Sequence, residues 1–200
     1  VIPEDNESYQ LLDLSIQRMS HLIEQMLILY RTVPEQYVNN FQRIDLYALV
    51  KNQIIEQYSR FSDKQQVIEL DGEAFEITAD VFSLNILLKN LLDNANKYTP
   101  EGGNILLSLK QKKRGDRKAK AVLTIDDSGS GIAEEYYGRV FERYYRIGDQ
   151  KSPNTIGSGL GFSIIHHILD LHDGEISLEK SCFETGLKVT IILPVDKIGL

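Results

Sequence analysis

The feature that most restricts the fold is a change of hydrophobic period near residue 40. Leu12, Ile16, Met19, Ile23, Met26, Tyr30 and Val33 follow one another in alternating steps of four and three, the seam of a helix packed in a bundle. Leu22, Leu27 and Leu29 flank the seam on either side, which widens it beyond a two-stranded coil and favours a four-helix bundle. One helix cannot bury this surface alone, so the seam predicts a homodimer formed through it, or a helix folded back on the rest of the chain. Pro34 ends the helix, and residues 34–40 read as a polar linker. The chain starts only a few residues before the seam, and the expectation is a piece of a longer protein.

From Phe41 the pattern is mixed. Asp45 predicts a helix cap ahead of Leu46, Leu49, Val50, Ile54 and Ile55. Residues 66–70 and 75–78 read as strands flanking a turn at Asp71 and Gly72. Asp80 predicts a second cap, for a helix through Ala95 that buries Val81, Leu84, Leu87, Leu88, Leu91 and Leu92. Residues 105–109 and 121–125 read as strands joined by a basic turn, 160–171 as a helix, and 175–179 with 187–193 as a closing hairpin. The polar stretch 148–158 is expected to be mobile. The sum is an α/β fold, a mixed-sheet sandwich over residues 41–200 with helices on one face, preceded by one long bundle helix over residues 1–33.

Composition narrows the partners. With 22 basic against 29 acidic residues the net charge is −7, which argues against nucleic acid and means that an anionic ligand needs a local basic pocket. The basic turn (Lys112, Lys113, Arg114, Arg117, Lys118, Lys120) reads as a solvated hairpin tip. Cys182 is the only cysteine, which fits a reducing compartment and a cytoplasmic domain. No apolar run approaches the roughly 18 residues that span a bilayer, and the first residues lack a signal-peptide pattern, so the chain as given is expected not to insert in a membrane.

Four short segments carry chemistry. Asn90 and Asn94 are spaced i, i+4 on one helix face, with Lys97 about a turn further on; an amide oxygen is a hard neutral ligand suited to Mg²⁺, although two asparagines and a lysine equally describe a solvated helix end. Asp127 follows an apolar strand and opens a tight turn at Gly129 and Gly131; a buried carboxylate can accept from the exocyclic amine of adenine, although Asp-Ser-Gly is also common turn chemistry. Phe141, Tyr144 and Tyr145 form an aromatic group between Arg143 and Arg146. Gly157, Gly159 and Gly161 open the helix that follows, whose first N–H groups would favour phosphate.

In this order the segments resemble the N, G1, F and G2 boxes of sensor histidine kinases, which share the Bergerat nucleotide-binding fold of DNA gyrase, the mismatch-repair ATPases and the heat-shock chaperone ATPases. The resemblance implies ATP and Mg²⁺ as cofactors, with Asn94 as the metal ligand, Lys97 at a phosphate, Tyr98 against adenine and Asp127 reading its amine. It implies further nucleotide contacts at Gly129, Gly131, Ile132, Arg143, Tyr144, Gly157, Ser158, Gly159, Leu160 and Gly161. It also implies a response-regulator receiver domain as partner and an upstream sensor in the bacterial inner membrane.

The chain departs from the family pattern at Phe162, where leucine is usual, and at Tyr144, where phenylalanine is. The same-fold ATPases carry a glutamate where Asn90 stands. A neutral amide is no general base, which argues against a hydrolytic ATPase, while a nucleotide-binding module without turnover remains the other alternative. None of His21, His166, His167 and His172 matches the family's acceptor motif, so the chain is expected not to phosphorylate itself. His172 precedes Asp173 and Gly174 and reads as a helix-ending turn.

Overall fold

The computed structural model describes residues 40–113, 119–142, 144–147 and 159–196. The seam helix with His21, the linker up to residue 39, the tip of the basic turn at 114–118, Arg143, and the polar stretch 148–158 with Gly157 and Ser158 lie outside the described residues.

The elements run β1 (Phe41–Asp45), α1 (Leu46–Asp63), β2 (Val67–Gly72), β3 (Glu76–Asp80), α2 (Val81–Tyr98), β4 (Asn104–Lys112), β5 (Lys120–Asp127), two single turns of 3-10 helix (Glu134–Tyr136 and Arg139–Phe141), α3 (Gly161–Leu171), β6 (Glu175–Lys180) and β7 (Leu187–Pro194). Both predicted caps form. The Asp45 Oδ1 accepts from the Ala48 N–H at 3.0 Å, and the Asp80 Oδ1 accepts from the Ser83 N–H at 2.8 Å, each satisfying a donor that the first helical turn leaves unpaired.

Five strands form one sheet in the order β2-β4-β5-β7-β6. The β2–β4 pair is parallel and the others antiparallel. Strand alternation sends Ile105, Leu107 and Leu109 of β4, Leu123 and Ile125 of β5, and Val189 and Ile191 of β7 into the core. There they meet the apolar faces of the helices, with Leu84, Leu87, Leu88 and Leu91 of α2 and Ile164, Ile165 and Ile168 of α3 all buried. The structure is the mixed-sheet α/β sandwich expected.

Two details differ from the sequence reading. The segments flanking Asp71 and Gly72 do not pair with each other: β2 lies parallel to β4, and β3 pairs antiparallel with β1 in a separate two-stranded sheet. The register Ile68↔Ile105 and Leu70↔Leu107 puts the apolar residues of β2 on the core face, which a local hairpin with β3 would not achieve. The second is α2, which runs past Ala95 to Tyr98, so Lys97 and Tyr98 ride on its last turn.

Candidate functional site

Asn90 is buried because it sits on the leucine side of α2 near its edge. Its Nδ2 donates to the Ile86 carbonyl at 2.8 Å, which orients the amide and leaves Oδ1 facing α3. A Cβ added to Gly161 would lie 3.4 Å from the Asn90 Oδ1 and 3.6 Å from the Asn94 Nδ2. The structure thus brings the two asparagines against the first residue of a helix far along the chain. That helix has no side-chain cap at its N-terminus, and Ser163 turns its hydroxyl back to the Leu160 carbonyl at 2.8 Å. Leu160 itself is buried. Lys97 is half-buried, and its Nζ sits 4.9 Å from the centroid of the exposed Tyr98 ring.

Asp127 ends β5 on the core face, opposite Ile105, and is buried. Its Oδ1 accepts from the Gly129 N–H at 2.8 Å and the Leu187 N–H at 3.3 Å. Desolvation pushes its pKa above the ordinary carboxylate value, the two N–H bonds pull it back, and the neighbouring charge of Asp126 adds to the rise. Asp126 lies on the other face of the strand, where its Oδ1 accepts from the Cys182 N–H at 3.0 Å. The turn after Asp127 packs against the end of α2: a Cβ on Gly129 would come within 2.5 Å of the Tyr98 carbonyl oxygen. Gly131 takes a positive φ of 68°, and Ile132 beyond it is half-buried. A groove of about 580 Å³ is lined by Lys97, Tyr98, Gly129, Ser130 and Thr185 among others. It does not reach Asn90, Asn94 or Asp127, and so marks the outer rim of the site.

The aromatic group divides in two. Phe141 packs edge-on against Phe162 at 5.6 Å between centroids and against His166 at 5.9 Å, so Phe141 is the residue that ties this segment to α3. Tyr144 is 71% exposed with φ 65°; it is held through its backbone, its N–H donating to the Gly159 carbonyl at 2.9 Å. Tyr145 lies under Arg139. His172 is buried, its Nε2 accepting from the Asp80 N–H at 3.1 Å and its Nδ1 lying 2.8 Å from the Ile168 carbonyl. These two bonds place the proton on Nδ1. With Asp173 at φ 53° and the Gly174 N–H on the Leu169 carbonyl, this is the helix-ending turn expected.

Sequence reasoning missed Gly186 and Leu187. At Gly186 φ is 125°, and any Cβ would overlap the Asp127 carbonyl oxygen; the residue after it supplies the second donor to the Asp127 carboxylate. The available signal was an isolated glycine at the mouth of an alternating strand, which marks a close backbone approach. Also missed were Lys64 and Gln66, whose side chains bond the last turn of α2, and Asn96 within that turn, which bonds Gln66.

Among the described residues no helix is long and apolar enough to cross a membrane, and no group of three or more His, Cys, Asp or Glu is arranged to hold a metal ion.

The family model for the histidine kinase-, DNA gyrase B- and HSP90-like ATPases matches residues 79–197. The sensor protein kinase PmrB of Pseudomonas aeruginosa is 33% identical over 183 residues, which cover 90% of this chain and 36% of PmrB. The chain spans about a third to a half of the length of the curated relatives it matches, 36% to 48% for the first three. The mycobacterial sensor histidine kinase MprB superposes with a TM-score of 0.67 at 26% identity, over 79% of this chain and 99% of that one. The Acinetobacter baumannii histidine kinase AdeS shares the fold, with a TM-score of 0.75 at 23% identity over 98% of this chain and 87% of that one.

Proposed function

Because this chain belongs to the histidine kinase-, DNA gyrase B- and HSP90-like ATPases and is the ATP-binding catalytic domain of a sensor histidine kinase, we propose that it holds ATP with Mg²⁺ between α2 and α3 and delivers the γ-phosphoryl group to a histidine. The observation that carries this reading is the approach of Asn90 and Asn94 to Gly161. It sets amide oxygens from one helix opposite the N-terminal turn of another, a place that suits phosphate. At the other end of the same face, α2 meets the Asp127 turn through Tyr98 and Gly129.

The roles follow from what each group has left to offer. Asp127 uses Oδ1 on two backbone N–H groups, so Oδ2 accepts from the adenine amine. Guanine carries a carbonyl there and is disfavoured. Tyr98 lies along the base, Lys97 neutralises a phosphate, and the turns at Gly129 to Ile132 and Gly159 to Gly161 approach the nucleotide through backbone. Arg143, Tyr144, Gly157 and Ser158 are the further nucleotide contacts of this reading. Asn94 fits Mg²⁺, since that ion needs few protein oxygens and completes its shell with phosphate and water. When bound, the ion would neutralise charge on the transferring phosphoryl group. Asn90 cannot take a proton from water, so the phosphoryl group is kept for transfer rather than hydrolysis.

In the whole protein the phosphoryl group passes on to an aspartate of a response-regulator receiver domain. Residues 1–33, which carry the seam, are the C-terminal helix of a dimerisation and phosphotransfer domain, joined by a linker at 34–40 to the catalytic domain at 41–200. The domain works in the cytoplasm, beneath an upstream sensor in the inner membrane. Calorimetric titration with ATP and GTP, with and without Mg²⁺, tests the site, and labelling of a separate helix carrying an acceptor histidine tests the transfer. ATP bound no better than GTP, or phosphate released to water in place of transfer, would overturn the reading.

A further inference from the structure

The last turn of α2 is held by a second segment that belongs to none of the four motifs. After α1 the chain reverses at Gln65, which takes φ 53° while its N–H bonds the Ser62 carbonyl at 2.9 Å. That reversal drives Gln66 under the end of α2, where it is buried. Its Nε2 donates to the carbonyls of Asn96 at 3.0 Å and Thr99 at 2.8 Å. Its Oε1 accepts from the Asn96 Nδ2 at 2.8 Å, and the same Nδ2 donates to the Arg60 carbonyl at 3.0 Å. Lys64 adds a charge-assisted bond from Nζ to the Asn96 carbonyl at 2.6 Å.

A helix leaves its final carbonyls unpaired, and a cation beside them also meets the negative end of the helix dipole. Here two side chains from the α1–β2 turn take up those carbonyls from behind. The residues between the bonded carbonyls of Asn96 and Thr99 are Lys97 and Tyr98. Buried polar groups that satisfy one another fix one geometry, so the fixed object is the turn that presents both side chains.

We propose that Lys64, Gln66 and Asn96 form a clamp that sets the position of Lys97 and Tyr98 for the nucleotide, making Gln66 a positioning residue that touches no ligand. This rests on the reading of Lys97 and Tyr98 as nucleotide contacts, and the test separates the two. Gln66→Met keeps length and burial but removes the donor. ATP affinity in the presence of Mg²⁺ is measured by calorimetry for the 200-residue chain, for Gln66→Met, for the pair Lys97→Ala with Tyr98→Ala, and for all three changes together. The expected result is a loss of about three- to tenfold for Gln66→Met in the parent and almost none in the background lacking Lys97 and Tyr98, the coupling of residues acting through one another.

A loss from the Lys97 and Tyr98 changes with none from Gln66→Met would overturn the clamp alone. Equal losses from Gln66→Met in both backgrounds would also overturn it, because a general weakening of the fold does not depend on what the turn presents. Unchanged affinity on removing Lys97 and Tyr98 would overturn the site assignment and the clamp's purpose with it. If Gln66→Met does not fold, Asn96→Ala, which removes the donor to the Gln66 Oε1 and the Arg60 carbonyl, is put through the same cycle with the same three outcomes.

Discussion

The two walls of the nucleotide cleft are made of different material. On the α2 side the groups proposed to work are side chains, Asn90, Asn94 and Lys97, with Asn90 oriented by the Ile86 carbonyl and the turn that carries Lys97 bonded from behind by Lys64 and Gln66. On the opposite side the wall is backbone. The Asp127 turn and the loop before β7 approach each other, and Gly159 approaches the Tyr144 backbone, so closely that several positions have no room for a Cβ. A side-chain wall can lose one group and keep its shape, whereas a wall of touching backbones moves as a whole when one atom is added. The contrast teaches where binding and stability separate.

The largest effect is expected at Gly186. An added methyl would run into the Asp127 carbonyl at a φ that side chains rarely adopt, so Gly186→Ala should cost more than about 3 kcal/mol of stability from strain and overpacking together. Denaturant unfolding measures it. A variant with near-parent stability would show that the backbone wall is softer than its contacts indicate.

Next comes Asp127→Asn, which sets the two properties against each other. The amide oxygen can still accept from Gly129 and Leu187, but adenine now meets an amide, and loss of a charged hydrogen bond should weaken ATP binding by about ten- to a hundredfold. The apo chain should become more stable, because burial raises the Asp127 pKa and its ionised form is a cost to the fold. The sign fixes the pH dependence. For a carboxylate whose folded pKa lies above the unfolded value of 3.8, the penalty is present above the folded pKa and relieved as the pH falls through it. The advantage of the variant should therefore be widest at neutral pH and narrow on acidification. Thermal melts across pH read it, and a gap that widens toward acid would contradict the assignment.

A smaller change is expected from Asn94→Ala. At this half-buried position the variant should keep the fold within about 1 kcal/mol while ATP affinity loses most of its response to Mg²⁺. Titration with and without the ion decides this, and a normal metal response would remove Asn94 from the metal site. The smallest effect belongs to Gly138→Ala. With φ −72° and no atom within 4 Å of an added Cβ, stability should stay within about 0.5 kcal/mol of the parent. That variant calibrates the glycine series, and a large loss there would undermine the reading of Gly186.

Much of this was legible in the sequence. The caps at Asp45 and Asp80 and the apolar faces of α2 and α3 are local patterns, set by residues within a turn or two of each other. The motif residues were legible too, because their spacing is a local property. Pairing was not: nothing within residues 66–80 says that β2 belongs beside β4, since that choice is made by the core face of a strand more than thirty residues away. The split among the aromatics was equally hidden, as Phe141 and Tyr144 are alike in sequence and differ only in what α3 offers them.

What the sequence determined by itself was the kind of elements, the identity of the polar groups and the chemistry they can perform, because hydrophobic period, capping and side-chain functionality are written in neighbouring residues. Only the tertiary structure decided that Gly161 would meet Asn90 and Asn94, that Gly186 would press on Asp127, and that Gln66 would support the turn beneath Lys97. Each of these joins residues far apart in the chain through contacts of a few ångströms. Their energies depend on distance in space, which local pattern does not carry.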